Sequence, residues 1–214
     1  MSGERPQLRI SVFMDYVCPF CFIGSGRLMR LEDTYDLRVN WCFVEIHPDT
    51  PIGGIAPDEL DYSEGHWATL NASLAALAAA DGLELAPRRL VPNTRHALRM
   101  AETAKDLGRE PFYRLHRALL QAYFIDGRDI GDDVVLRTIA ADCGLPTDLP
   151  DQAWGENPTV DARFDRYRAF AAAAGVSGVP TFVFGQRTLA GVQNEDTLRA
   201  AAAELSTAEN TPQS

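Results

Sequence analysis

Nine residues, Phe13-Met14-Asp15-Tyr16-Val17-Cys18-Pro19-Phe20-Cys21, constrain this chain more than any other stretch. Ahead of them Leu8, Ile10, Val12 and Met14 alternate at period two, which predicts a strand. Behind them Ile23, Leu28, Leu31 and Tyr35 recur at roughly helical spacing, so two cysteines fall where a strand turns into a helix. A sulfur there meets unpaired backbone N–H groups and the positive end of the helix dipole, both of which favour thiolate over thiol. Cys18 is therefore the candidate nucleophile. Pro19 suits the first helical position, and Cys21 lies about one turn on, near enough to close a disulfide with Cys18.

The same spacing suits a metal, and the two readings separate on ligand count. A structural zinc site draws on four ligands, commonly two close-spaced pairs, whereas the other cysteines here, Cys42 and Cys143, stand far apart. A redox dithiol is favoured over metal, and no metal ligands are assigned. A purely structural disulfide is the weaker reading, because Pro19 and Phe20 close the loop at a helix start.

With 214 residues the chain can bury a sizeable core. Its 20 basic and 30 acidic residues argue against nucleic acid or an anionic membrane as the main partner. The first residues carry no long apolar run before the cysteine strand, so a cytoplasmic location is expected, where a close cysteine pair is more often catalytic than structural.

Positions 37–46 predict a second strand, with Val39, Trp41 and Phe43 on one face and Cys42, Val44 and Ile46 on the other. Both faces are largely apolar, which predicts a central strand in a βαβ unit and makes Cys42 a packed core thiol. Glu45 continues the Trp41 face; it is either a surface ion pair or a proton relay to Cys21. Asp15 anchors the loop or takes part in catalysis, and its charge would raise the pKa of Cys18.

From Pro48 to Pro57 turn-forming residues mark a boundary, and helical patterns follow. Helices are predicted from Glu59 to Asp81, after Asn93, from Pro111, after Asp132 or Asp133, and from about Val160 to Ala174. His96 and His116 are read as surface or structural residues, and Cys143 sits at a helix end. Pro180 opens a strand through Phe184, Gly185 begins a hairpin turn, and Asn194 caps a last helix ending in a polar tail.

The order of Cys18-Pro19-Phe20-Cys21, a long helical stretch, and Gly178-Val179-Pro180-Thr181 before a hairpin and helix resembles DsbA-type thioredoxin-fold proteins. Asp15 through Gly24, Asn93-Thr94-Arg95 and Gly127-Arg128-Asp129-Ile130-Gly131 resemble the cytoplasmic FrnE-like branch. The resemblance implies an α/β thioredoxin fold with a large all-helical insertion. Its expected parts are 1–52 and 156–205 for the thioredoxin fold, 53–155 for the insertion and 206–214 for the tail. It further implies a cis Val179–Pro180 bond facing the active-site loop of Cys18, Pro19, Phe20 and Cys21. Cys18 would attack a disulfide and Cys21 would resolve the mixed one. No bound cofactor is implied, with glutathione as a candidate co-substrate and protein or small-molecule thiols and disulfides as partners. Because Phe20 offers no side-chain donor, a less oxidising couple than that of the periplasmic founding member is expected. Two alternatives stand beside this: a glutathione-dependent isomerase or transferase of the hydroxychromene-carboxylate or kappa type, and a metal-binding or holdase-like protein.

Overall fold

The computed structural model describes residues 5–209. The first four positions, and 210–214 of the expected tail, lie outside them.

Four strands form one mixed sheet in the order β2-β1-β3-β4, comprising β1 Gln7–Met14, β2 Asp36–Phe43, β3 Thr181–Phe184 and β4 Arg187–Ala190. β1 and β2 run parallel through eight aligned pairs, with Val12 opposite Trp41 and Met14 opposite Phe43. A parallel pair needs a crossover, which α1 (Pro19–Met29) supplies. β3 joins β1 antiparallel, and the tight turn at Gly185, φ +58°, returns the chain as β4.

The expectation of a central second strand is corrected: β2 is an edge. Its apolar faces are buried by helices and not by a neighbouring strand on each side. Phe13, Cys42 and Val183 pack with Tyr167 of α7 (Pro158–Ala173) on one face. On the other, Val12, Met14, Trp41, Phe43 and Phe182 join a large core with Leu28, Leu98, Leu119 and Leu198.

Between β2 and α7 lie five helices: α2 (Glu64–Ala80), α3 (Arg95–Ala104), α4 (Arg109–Phe124), α5 (Asp133–Asp142) and α6 (Leu149–Trp154). α2 starts later than its composition suggests, since Pro57–Glu59 makes a separate 3-10 turn and the Ser63 hydroxyl caps the helix by accepting from His66 N. Asp132 caps α5 through Val134 N and Val135 N as expected. The α3 cap residue is Thr94, not Asn93; Asn93 instead accepts from Arg95 N and donates to Thr50 O. The last helix, α8 (Glu195–Glu209), is entered by Asn194 accepting from Thr197 N and absorbs positions 206–209 of the expected tail. No glycine or proline interrupts that stretch, so the alanine-rich run carries the helix on.

Two ion pairs fasten these helices to the sheet and α1. Arg27 Nε donates to Asp81 Oδ2 at 2.7 Å, pinning the end of α2 to α1. Deeper, the Glu102 carboxylate accepts from Lys105 Nζ at 2.6 Å and from Tyr167 Oη at 3.0 Å, while Lys105 Nζ also donates to Trp41 O at 2.6 Å. One buried carboxylate thus ties α3, β2 and α7 together. Removing it strands a desolvated ammonium, so Glu102→Ala should lower unfolding free energy by about 3–5 kcal/mol. Urea titration checks this, and a loss below about 1 kcal/mol would contradict the assigned role.

Candidate active site

The site begins at the turn from β1 into α1. Cys18 N donates to Asp15 O at 3.2 Å, Cys18 is the α1 N-cap in extended geometry, and Pro19 occupies the first helical position. Cys21 N and Phe22 N both donate to Cys18 O, closing the first turn over the two sulfurs. Val179–Pro180 is a cis peptide, as the resemblance implies, and its loop lies across from the turn: Cys18 Sγ is 3.7 Å from Val179 O. Gly24 makes this approach possible. A Cβ there would stand 3.0 Å from the Phe182 ring and 3.3 Å from Pro180, so a larger residue would push α1 off the proline loop.

The two sulfurs differ in access. Cys18, itself buried but for 5% of its surface, lines a groove of about 560 Å³ together with Pro19, Phe20, Ser177 and Val179. Cys21 has no exposed surface; burial, then the adjacent Cys18, push its thiol well above the ordinary range. Both are free thiols within hydrogen-bonding reach of each other.

Asp15 proves to be the anchor of this turn. Its fully buried carboxylate accepts from Val17 N at 3.3 Å and Ile46 N at 2.8 Å, with the Thr94 side chain as a third partner. Burial pushes its pKa up to about 6 against the lowering pull of these hydrogen bonds. Its charge acts on Cys21, raising that thiol further. Glu45 stands elsewhere. One of its oxygens accepts from Arg95 at 3.2 Å, the other is buried without a hydrogen-bond partner, and the side chain lines the cavity next to Arg99 and Phe164. The ion-pair reading of Glu45 matches this geometry, and the carboxyl beside Cys21 is that of Asp15.

Cys42 is a buried core thiol pushed up to about 12 by burial, as its strand position suggests. Cys143, the α5 C-cap, is half-buried, and burial raises it too. His96 bonds Asp133 at 2.7 Å and stacks on Trp154, while His116 is buried 2.8 Å from Tyr16 Oη and pushed down to about 3 by burial. Both are structural. The sequence reading missed the far wall of the groove, where α2 and its approach set Tyr62, His66 and Trp67 opposite the cysteine turn, with His47 and Arg88 beside them. Among the described residues no three His, Cys, Asp or Glu side chains converge to hold a metal, and no helix is long and apolar enough to cross a membrane.

A strand-to-helix cysteine pair facing a cis-proline loop on a four-stranded mixed sheet defines a thioredoxin-like protein. Residues 9–203 match the family described as DSBA-like thioredoxin domain, and the chain belongs to that family. It is 26% identical over 196 residues to the protein YwbO of Bacillus subtilis, covering 91% of this chain and 95% of that one. Among solved structures it is similar to the probable DsbA oxidoreductase SCO1869 of Streptomyces coelicolor, with TM-score 0.78, 24% identity and coverage of 97% and 93%. A 2-hydroxychromene-2-carboxylate isomerase shares the fold at TM-score 0.70 and 18% identity, with coverage of 96% and 100%. The cytosolic disulfide reductase DsbM of Pseudomonas aeruginosa, solved with GSH, does so at TM-score 0.66 and 19% identity, with coverage of 95% and 100%.

The pKa of Asp15 has a consequence for stability. The folded chain holds this proton up to about pH 6, whereas an ordinary aspartate releases it near 3.8, so the folded form binds more protons in between. The stabilising contribution is therefore complete below the unfolded value and is lost as pH rises through 6. Relative to Asp15→Asn, the wild type should lose roughly 2.4 kcal/mol between pH 4 and pH 7. Paired urea titrations across that range check it; parallel curves for the two proteins would contradict a raised Asp15.

Proposed function

We propose that this protein is a thiol–disulfide oxidoreductase whose redox couple is Cys18 and Cys21. The observation that carries the reading is the difference between the sulfurs: Cys18 opens into the groove beside the cis-proline loop, and Cys21 is sealed behind it within reach. Cys18 attacks one sulfur of a substrate disulfide and the other leaves as thiolate. Cys21 then attacks Cys18 Sγ, displacing the second substrate thiolate and leaving the protein disulfide. The reverse sequence oxidises a dithiol substrate. The cis-proline loop offers backbone to the substrate from across the groove; a Val179 carbonyl this near Cys18 supports that role.

Assignment to the FrnE-like branch and to the cytoplasm belongs to the same reading. It rests on the motifs around Asp15, Asn93 and Gly127 and on likeness to a protein described as a cytosolic disulfide reductase. In that compartment glutathione is the natural thiol co-substrate and the net direction is reduction or isomerisation. The glutathione-dependent isomerase reading draws on the shared fold. It has no use for a second sulfur beneath the first, which favours dithiol chemistry here.

Incubated with a disulfide substrate, Cys21→Ser should accumulate a mixed disulfide on Cys18, read by intact mass, and Cys18→Ser should lose at least about a hundredfold in turnover. Full activity in Cys18→Ser would refute the assignment. Turnover with glutathione that survives Cys21→Ser unchanged would favour the isomerase.

A further inference from the structure

We propose that the groove selects small disulfides that carry a carboxylate on an apolar or aromatic body, and that Arg88 is the residue that selects them. The inference rests on the oxidoreductase reading above and extends it to substrate class.

The first observation is size. A groove of about 560 Å³ lies in the range of small-molecule sites. α2 closes its far side with Trp67, Leu70 and Leu74, so the cysteine turn faces a wall and not an open surface.

The second is charge. The chain holds 30 acidic residues and a formal charge of minus ten, yet no aspartate or glutamate lines this groove among the described residues. Its ionisable groups other than Cys18 are His47, His66, Tyr62 and Arg88. Arg88 is the permanent cation among them. Several arginines that line other cavities are tied to carboxylates, Arg95 to Glu45, Arg99 to Asp161, Arg109 to Asp36 and Arg163 to Asp106, whereas Arg9 bonds the neutral Gln7. Arg88 has neutral partners. Its Nη2 donates to Asn71 Oδ1 at 3.1 Å and its guanidinium lies 4.9 Å above the Trp67 ring. Asp58 lines the adjoining depression and makes no ion pair with it.

These facts fit one kind of ligand. Stacking on Trp67 fixes the plane of the guanidinium while leaving its other N–H donors for an incoming planar anion, and carboxylate is the group that matches that fork. Trp67 itself stacks on Tyr62 with centroids 5.9 Å apart, and this aromatic pair offers the body of the ligand a flat apolar seat. The rest of the protein repels an anion on approach, so the attraction must be local.

The chemistry is that of the reduced protein. Cys18 thiolate bonds to one substrate sulfur and the substrate S–S bond breaks, its electron pair leaving on the other sulfur. Cys21 gives its proton to solvent and displaces the second thiolate, so one disulfide is reduced to two thiolates as the Cys18–Cys21 bond forms.

The test is single-turnover reduction, in a Cys143→Ser background, of two aromatic disulfides: the dianion 5,5′-dithiobis(2-nitrobenzoate) and the neutral 4,4′-dithiodipyridine. Arg88→Gln should slow the dianion about tenfold and change the neutral compound less than about twofold, while Arg88→Lys restores part of the loss. Comparing each compound with itself between proteins removes their intrinsic reactivity, and near-UV circular dichroism confirms the fold of each variant. If Arg88→Gln slows both compounds equally, or neither, charge selection by Arg88 is wrong and the oxidoreductase reading stands. If the wild type reduces neither compound through Cys18, the oxidoreductase reading itself fails.

Discussion

The buried carboxylate of Asp15 is the constraint on which the site depends. It accepts from Val17 N within the cysteine turn, from Ile46 N just past β2, and from Thr94, the residue that begins α3. Three segments remote in sequence are thereby held around one pair of oxygens. Each donor is a group that burial would leave expensive if unpaired, and together they offset the cost of desolvating the acid only in part, which is why its pKa settles near 6. The turn that presents Cys18 is as fixed as this cluster is. Placing a carboxyl this close to Cys21 also discourages a second negative charge beneath the first sulfur.

Much of this was legible in sequence, for local reasons. The alternation of β1, Pro19 at a helix start, the glycine of the hairpin turn, and the Asp132 and Asn194 caps are short-range signals that depend on few neighbours. The place of β2 in the sheet was not. An apolar strand reads the same whether strands flank it or helices cover it, and here α7 and the inserted helices do the covering. The six-residue α6 is too short to show a period, and the late start of α2 turns on the Ser63 cap, not on composition. For the site, the cysteines could be read directly and the cis proline followed from the family resemblance, whereas Asp15 and Glu45 could not be ranked. Both are single acids near strand ends, and only folding decides which is sealed and which meets Arg95.

The groove wall was the least legible part. Trp67 and Arg88 lie far from Cys18 in sequence, Trp67 on a helix whose apolar residues give no strong stripe because much of its surface is exposed, and Arg88 in the loop after that helix. Their meaning comes from the lack of an acid in the lining of the groove they share with Cys18, in an acidic protein, and a sequence does not report that. The thioredoxin sheet supplies the sulfur pair and its turn, and the inserted helices supply the far wall of the groove. Reactivity and choice of substrate are thus carried by different parts of one chain, joined through the Arg27–Asp81 and Glu102–Lys105 pairs.

The central claim is that Cys18 and Cys21 form a reversible two-electron couple. Its most direct measurement is the fraction of alkylatable thiol in this pair, read by mass across buffers of graded glutathione poise. The account predicts a single two-electron transition with a midpoint more reducing than the roughly −120 mV of DsbA, because no side-chain donor stands between the cysteines at Phe20. Failure of the Cys18–Cys21 disulfide to form at any poise would contradict it.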